Sequence, residues 1–501
     1  MGKKEQKKKN NRNNKNARRR RTTALRPRFF STLSDDLKLS VSGGVGHLSS
    51  YRLAQVSREF RVMVTMARKL EMYGGQGLAI SAGVRHTVFC NMGRLYTCGG
   101  TDDATDPSIP GNQEGVWNIQ ENNFLGLNPN PEDNSSSEVK RSYLGHGEGV
   151  NEHVPRLVEA LVGVNIVGVA AGDEHTVVWT DEGKVYSFGL GRCWRLGHGI
   201  EENELLPRQI EGVLVGERVV GVSAASHHTV LWTEEGKVYA FGTSASVNGF
   251  GVHGREENIQ RTPRLIEGAL VETRVVGVAT GAYHTVVYTD EGKVYAFGLG
   301  TSGRLGHGVE DNEVMPRLIE GVLVGKRVVG VTAGNGHTVV WTDKGEAYSF
   351  GAGKLGALGY VNEDGRPQPR QLSPRLIEGA LQGKRVLGVV AGKLHTVVWT
   401  DEGNAYTFGV AKHGRLGHGN EHEREFFPRM LGGALQGKRV VGASAGEFHT
   451  VVWTDAGQVY SFGNGHFGQL GHLCGDPFPS AEFMPRLIEA RVLDGPGPIA
   501  T

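Results

Sequence analysis

The sequence predicts an all-β protein, a seven-bladed β-propeller with four-stranded blades, and three observations carry that expectation. A segment of the form Val-Val-Gly-Val-x-x-Gly-x-x-His-Thr-Val-Val-Trp-Thr-Asp-Glu-Gly-Lys-Val-Tyr-x-Phe-Gly recurs seven times, with its histidine at His86, His175, His228, His284, His337, His395 and His449. Glycine supplies 75 of 501 residues while hydrophobic residues hold at 38%, the balance expected of short buried strands joined by tight turns. A segment of the Pro-Arg-Leu-Ile-Glu type closes each copy, with proline at 155, 207, 263, 316, 374, 428 and 485.

Each copy reads as four short strands. Alternating β-branched and small residues, as in Arg218-Val-Val-Gly-Val-Ser, make the first, and His228-Thr-Val-Leu-Trp-Thr makes the second. Glu234-Glu-Gly-Lys is a tight turn in which Gly236 can take a positive φ, and Val238-Tyr-Ala-Phe returns as the third strand. A glycine-rich loop then leads to Pro263-Arg-Leu-Ile-Glu, the fourth. Proline has no N–H to donate, which suits the first position of an edge strand.

One four-stranded sheet cannot bury both its faces, so seven of them pack face to face around an axis and close a ring. The repeats lie near 77–163, 164–216, 217–272, 273–325, 326–383, 384–437 and 438–491, within a propeller spanning 77–495. If a blade boundary falls inside the repeat, one blade mixes strands from both chain ends and latches the ring.

Three stretches fall outside the period. Residues 1–28 hold 13 Lys+Arg and one acid, Glu5, which leaves 42 basic against 52 acidic groups, or −10, for the remainder. That basic tail is expected to be disordered, and Arg18, Arg19, Arg20 and Arg21 have the composition of a nuclear import signal or a nucleic-acid-binding arm. Residues 29–73 read as a short helical segment. The first histidine interval is 89 residues against 53 to 58 for the others, and the excess, 101–142, rich in Asp, Asn, Pro and Ser, is expected to be a mobile insertion in repeat 1.

Several kinds of chemistry are excluded at this level. Cys90, Cys98, Cys193 and Cys474 form no Cys-x-x-Cys pair, so neither a disulfide framework nor a zinc site is indicated, and a reducing intracellular compartment fits. No run approaches the roughly 20 apolar residues that span a bilayer, so a soluble protein is expected, with no membrane partner. A histidine placed once per blade reads as a hydrogen-bonding strand-end element, and His418 and His422 lack a helix to align them on a metal. Gly432-Gly-Ala-Leu-Gln-Gly-Lys-Arg439 has arginine where a phosphate loop needs Ser or Thr, and Gly298-Leu-Gly-Thr-Ser-Gly303 recurs in register as a structural turn. No catalytic residue, metal or cofactor is expected.

With these Gly-x-x-His-Thr and Gly-x-Gly-x-x-Gly-x-Leu-Gly signatures, residues 77–491 closely resemble the regulator of chromosome condensation family. The resemblance implies a seven-bladed propeller and leaves function broad, because such propellers include Ran exchange factors, domains of giant ubiquitin ligases, photoreceptors and ciliary proteins. It also implies that acidic residues in the Gly-x-x-His loops face a GTPase, which singles out Asp173, with Glu174 and Glu447 behind it. The third repeat carries a modest extension, Ser244-Ala-Ser-Val-Asn-Gly-Phe-Gly, where exchange-factor relatives place a wedge. A second resemblance rests on Leu33, Leu37, Val41, Val45, Leu53, Val56 and Phe60, whose spacing is similar to an F-box, the motif that docks on the Skp adaptor. An amphipathic helix packed on the propeller has the same spacing.

Two surfaces could bind a partner. Loops before the fourth strand carry Glu201-Glu202-Asn-Glu204, Glu256-Glu257, Glu310-Asp311-Asn-Glu313 and Glu421-His-Glu423-Arg-Glu425, an acidic rim or ordinary solvated loops. The Gly-x-x-His loops are expected on the other face and carry the candidate partner-binding residues Arg85, Asp173, Glu174 and Glu447. Two readings follow. One is a non-catalytic protein-binding scaffold, the substrate receptor of a ubiquitin ligase through a Skp-type adaptor on the F-box-like face. The other is a guanine-nucleotide exchange factor for a Ran-type small GTPase, with the basic tail on nucleic acid or histones. Both place the chain in the nucleus, with the cytoplasm as a second location.

Overall fold

The computed structural model describes residues 78–100, 142–147, 149, 151–243, 259–419, 422–472 and 481–488. The basic tail with Arg18–Arg21, the F-box-like segment, the extension at 244–251 and the insertion up to residue 141 lie outside the described residues. Ser142, the last residue of the insertion, is buried beside Tyr143 and Leu144, so it belongs to the packed body.

The described residues form 28 strands in seven antiparallel four-stranded sheets, each ordered from first to fourth strand as the chain runs. Blade 1 runs from Ala79 to Leu157 and blade 7 from Val440 to Leu487. Each sequence repeat is therefore one blade, and no blade mixes strands from the two chain ends. Closure comes from packing instead: Leu78, Ile80, Phe89, Tyr96 and Cys98 of blade 1 share one core with Val451, Trp453, Val459 and Ile488. Six equivalent clusters lie between the other blades, for example Val286 and Leu305 of blade 4 against Val340 and Phe350 of blade 5. The second strand is covered on both faces, and all six residues from His228 to Thr233 are buried.

The repeat proline does not open its strand. The fourth strand of blade 3 runs Ile259–Leu265, and the register jumps from Ala240 opposite Arg264 to Gly242 opposite Gln260. Pro263 thus sits in a bulge of the edge strand, where no ladder donor is needed.

The third residue of each first strand explains a sequence choice. Gly168, Gly221, Gly330, Gly388 and Gly442 each lie under a tryptophan ring of the second strand, and a Cβ at Gly330 would come within 2.0 Å of Trp341 Cζ2. Blade 1 changes both partners: Ala79 stands opposite Cys90, so the added methyl faces a smaller side chain. Gly330→Ala is expected to cost about 2–3 kcal/mol by overpacking. Gly330→Ala with Trp341→Cys rebuilds the blade 1 pair and is expected to be more stable than the sum of the single losses by at least about 1 kcal/mol in a double-mutant cycle. Simple additivity in denaturant melts would contradict this account.

In an up-and-down blade the loop after the first strand and the loop after the third emerge on the same side. The Gly-x-x-His loops and the acidic loops therefore share one face, contrary to the expectation that they lie on different ones. The hairpin turns and the connectors between blades form the opposite face.

Candidate protein-recognition face

The repeat histidines are fully buried or nearly so at the start of the second strand, and each Nε2 meets a threonine of the next blade. The pairs are His86–Thr176 at 3.0 Å, His175–Thr229 at 2.9 Å, His228–Thr285 at 3.3 Å, His284–Thr338 at 2.8 Å, His337–Thr396 at 3.0 Å, His395–Thr450 at 2.8 Å and His449–Thr87 at 2.8 Å. They close a circle. The threonine protons go elsewhere: Thr87 donates to Gln469 O at 2.7 Å, Thr338 to Arg304 O at 2.8 Å and Thr450 to Arg415 O at 2.8 Å. Each such hydroxyl must then accept from Nε2–H, which leaves a neutral imidazole with an unprotonated Nδ1. Burial agrees, holding His86 and His337 down at about 4 and His449 at about 3. These rings have the hydrogen-bonding strand-end role that their one-per-blade placement predicts, and their partners make them inter-blade fasteners.

The glycine three residues before the histidine makes room for this. A Cβ at Gly281 would lie 2.2 Å from His284 Cε1 and 2.5 Å from Gly334 O of the next blade. Blade 3 alone has alanine there, Ala225, and its His228–Thr285 bond is the longest of the seven.

Three arginines from the Leu-Gly loops fasten alternate blades. Arg195 and Arg304 are among the largest fully buried side chains, and Arg415 is nearly as buried. Arg195 Nη1 donates to Glu174 Oε2 at 2.9 Å and its Nη2 contacts His227 Nδ1 at 3.2 Å. Arg304 donates to Asn335 O at 3.0 Å and Arg415 to Glu447 O at 2.7 Å. Burial lowers both Arg304 and Arg415 to about 10. Glu174, a candidate contact residue, is thus the partner of a buried cation.

The residues after the repeat glycines ring the mouth of the central channel, a cavity of about 100 Å³ that includes Asp173, Ser226, Asn335, Lys393 and Glu447. Lys393 Nζ lies 2.9 Å from Asp173 Oδ2 and 2.8 Å from Glu447 Oε2, tying blades 2, 6 and 7 together across the axis. Burial opposes the charge on Asp173, but Lys393 and the Ser226 hydroxyl outweigh it and pull the carboxyl down to about 2. Burial likewise opposes the charge on Lys393, and the two carboxylates hold it above the ordinary lysine range. Asp173 and Glu447 do converge, but on a lysine rather than as free acids. Arg85 is elsewhere, over the Phe467 ring at 4.8 Å from its centroid. With these groups about a quarter exposed, Lys393→Met is expected to cost about 1–2 kcal/mol, because two carboxylates are left facing each other. Glu447→Gln in that background is expected to recover part of the loss in urea melts; no recovery would mean that the pair does not repel.

Glu256, Glu257 and Glu421 lie outside the described residues, and most of the described rim acids are engaged within the fold. Glu204, Glu313 and Glu425 pair with Arg208, Arg317 and Arg429 four residues on. Glu201 accepts from Cys193 N at 2.7 Å and Glu310 from Ser302 N at 2.7 Å, bracing residues that hold positive φ. The solvated-loop reading fits these acids better than a binding rim. Other histidines are also internal partners: His198 meets Ser187, His418 meets Thr407 and His472 meets Ser461. Among the described residues no group of three or more His, Cys, Asp or Glu is placed to hold a metal, and no helix is long and apolar enough to cross a membrane.

Comparison with known proteins bears on this arrangement. Residues 138–496 match the family model described as RCC1-like domain. The chain is 35% identical over 354 residues to the E3 ubiquitin-protein ligase HERC2 of Homo sapiens, covering 70% of this chain and only 7% of that protein. It is 31% identical over 358 residues to the ultraviolet-B receptor UVR8 of Arabidopsis thaliana, covering 70% of this chain and 76% of the receptor. Among solved structures it is similar to yeast RCC1 (Prp20) bound to Kap60, with a TM-score of 0.61 and 23% identity over 70% of this chain and 82% of that one. With a family model spanning most of its length and the propeller to match, this chain belongs to the RCC1-like domain family.

Proposed function

We propose that this chain is a non-catalytic protein-binding scaffold whose recognition surface is the loop face around Asp173, Lys393 and Glu447. One observation carries the reading. The positions that build the ring are nearly identical in seven blades, whereas the residue just before the repeat histidine is Arg85, Glu174, His227, Tyr283, Gly336, Leu394 or Phe448. Arg85, Glu174, His227 and Phe448 also contact neighbouring loops, but all seven residues are partly exposed on one face. Aromatic and aliphatic anchors among charges suit a folded protein surface. Tyr283→Ala with Phe448→Ala is expected to lose at least one binding partner in a quantitative pull-down from nuclear extract. Identical partner sets for wild type and variant would move recognition off this face.

Within that reading, Leu33, Leu37, Leu53, Val56 and Phe60 would make the chain the substrate receptor of a ubiquitin ligase through a Skp-type adaptor. The apolar spacing supports it. Leu37→Asp with Leu53→Asp in the full chain is expected to remove adaptor and cullin subunits while retaining partners of the loop face. Their absence from the wild-type sample would end the adaptor branch alone.

The rival reading is an exchange factor for a Ran-type GTPase, with Asp173, Glu174 and Glu447 as contacts and the basic tail on nucleic acid or histones. A structurally similar protein, Prp20p of Saccharomyces cerevisiae, has binding properties to Gsp1p and histones. Lys393 and Arg195 already engage those acids here, which makes this reading the weaker one. Nucleotide release accelerated by the wild type and not by Asp173→Ala would put it first. A nuclear location rests on Arg18–Arg21, and alanine at all four is expected to shift a fluorescent fusion into the cytoplasm.

A further inference from the structure

The fourth strands of the blades share one motif, and two of the seven depart from it in the same way. In blades 1, 2, 4, 6 and 7 a glutamate stands three residues before the bulge proline and an arginine one residue after it. The two pair across the bulge: Glu152–Arg156, Glu204–Arg208 and Glu482–Arg486 at 2.6 Å, Glu425–Arg429 at 2.7 Å, and Glu313–Arg317 likewise. The residue midway between them, just before the proline, is apolar: Val154, Leu206, Met315, Phe427 or Met484. In blades 3 and 5 the glutamate becomes Gln260 or Gln371, and the midway residue becomes Thr262 or Ser373. Loss of the acid and gain of the hydroxyl go together in all seven strands, with no blade mixing the two sets.

The fold makes no use of these hydroxyls. Thr262 and Ser373 are exposed, and neither side chain makes a hydrogen bond among the described residues. The glutamines bond the backbone instead, Gln260 Nε2 to Thr262 O at 2.9 Å and Gln371 Nε2 to Ser373 O at 3.0 Å. The arginine stays in place. Arg375 lies over the Tyr360 ring at 4.5 Å from its centroid and has no carboxylate partner among the described residues. Arg264 holds the same position in blade 3. Arg370, three residues before Ser373, is already taken by Glu310 at 2.8 Å. Blade 5 therefore keeps the cation, lacks the acid and presents a hydroxyl between the two positions. Of the 18 prolines in the chain, only Pro263 and Pro374 follow a serine or threonine.

We propose that Thr262 and Ser373 are phosphorylation sites for a proline-directed protein kinase. The hydroxyl oxygen attacks the γ-phosphorus of ATP, the new P–O bond forms as the bond to the bridging oxygen breaks and ADP leaves, and the hydroxyl proton passes to the kinase's general base. The product carries about −1.5 to −2 charge at neutral pH. It restores an anion beside Arg375, as the glutamate does in five blades, and glutamine at 371 spares it the repulsion that a glutamate there would cause. Pro374 is buried, so the kinase takes the site from a local opening of the fourth strand, Arg370–Leu376, which pairs with a single neighbour. The sites do not depend on the loop face and stand whether or not that face binds protein.

The native full chain and a synthetic peptide of residues 366–380 are incubated with a mitogen-activated protein kinase and ATP, and the phosphate is located by mass spectrometry. Ser373 of the native chain is expected to be modified at no less than a hundredth of the peptide's rate, with Thr262 modified as well. Thr262→Ala with Ser373→Ala should leave almost no incorporation. A native chain that stays unmodified overturns the proposal, whether or not the peptide is a substrate. Phosphorus NMR then reads the arginine, on Thr262→Ala protein phosphorylated at Ser373. The second ionisation of the phosphate, ordinarily near about 6, is expected to fall by about half a unit or more, because a nearby cation favours the dianion. Arg375→Met should return it to the ordinary value, and Gln371→Glu should raise it above that of the parent protein. A second ionisation that neither substitution moves overturns the proposal, since the strand would then hold nothing arranged to receive a phosphate.

Discussion

Lowering the pH from 7 to about 4.5 is expected to unfold the propeller cooperatively, with the histidine ring as the main cause. The unfolded chain binds a proton on each imidazole near pH 6.5, whereas the folded state keeps His86 and His337 neutral down to about 4 and His449 down to about 3. His175, His284 and His395 are also depressed well below 6.5 by burial. The sign follows directly. Between pH 6.5 and 4 the unfolded state binds more protons, so stability is complete above 6.5 and is lost as pH falls through that window. At pH 5 each such histidine contributes a loss of about 2 kcal/mol, and three or four of them consume the whole stability of an ordinary domain. His418 and His472, lowered to about 4 by burial, add to the same slope. Asp173, held near 2, works in the same direction only at lower pH. Urea midpoints measured from pH 7.5 to 5 should fall steeply. His337→Gln keeps an N–H to donate to Thr396 and removes one titrating group, so it should be weaker at pH 7 yet show a shallower slope by about one proton. A urea midpoint constant from pH 7 to 5 would show that these imidazoles are not held neutral by the fold.

The parts of this fold that repeat were legible in the sequence, and the parts that join distant repeats were not. Seven histidines in register announced a hydrogen-bonding role at a strand end, though not that the partner lies in the next blade, and the register of Gly236 and its counterparts announced the hairpins. The ring boundary was not legible, because the same four-strand pattern fits a blade that starts at any of its strands; only the pairing of Ala79–Ala82 with its own repeat decides it. The position of Pro263 was misjudged by reading an absent donor as a strand start, when a bulge satisfies the same requirement. The shared face of the two loop sets could have been read from strand parity, since two strands separate them. Lys393 was missed as the centre of the axial cluster, because it meets Asp173 across 220 residues and scanning for acids gives no reason to look for the cation. Arg195, Arg304 and Arg415 stood inside a recognised motif, but nothing local says that an arginine before Leu-Gly turns inward. Recurrence reports what each blade does alone, and the axis is where blades stop being equivalent.

That distinction makes the junction of blades 7 and 1 the place where the ring is expected to open first. Six of the seven interfaces join blades that are consecutive in the chain, and the seventh joins blade 7 to blade 1, with no exchanged strand among the described residues. Its polar links include His449 to Thr87 at 2.8 Å, Thr87 to Gln469 O at 2.7 Å, Ala82 N to Ser444 Oγ at 2.9 Å and the Cys98 thiol to Gln469 O at 3.8 Å. The interface of blades 5 and 6 has the counterparts of these links, His337 to Thr396 at 3.0 Å, Thr396 to Ala357 O at 2.9 Å and Ala391 N to Thr332 Oγ1 at 2.9 Å, and adds Val386 N to Gly345 O at 3.0 Å, Asn335 N to Lys393 O at 3.0 Å and Arg385 Nη2 to Asp343 O at 2.9 Å. The bonds that the substitutions below remove correspond at the two sites. Thr87→Val with Ser444→Ala, and Thr396→Val with Thr332→Ala, each strand a buried imidazole N–H, a carbonyl and an amide, and each pair is expected to cost about 3–5 kcal/mol in global stability. Their local consequences should differ. Parting blades 5 and 6 exposes their cores while the chain still tethers them, so they reclose rapidly and exchange there should follow global unfolding. Parting blades 7 and 1 separates two blades that no direct connector joins and exposes the cluster of Phe89, Tyr96, Val451 and Trp453 without disturbing another interface. In the first pair of substitutions, amides of Ala79–Ala82 and Val440–Ala445 should therefore exchange through an opening several kcal/mol below the global one. In the second pair, amides of Val328–Ala333 and Val386–Ala391 should exchange only with the whole molecule. Equal exchange behaviour at the two interfaces would mean that packing alone makes the seventh junction as strong as one reinforced by the chain.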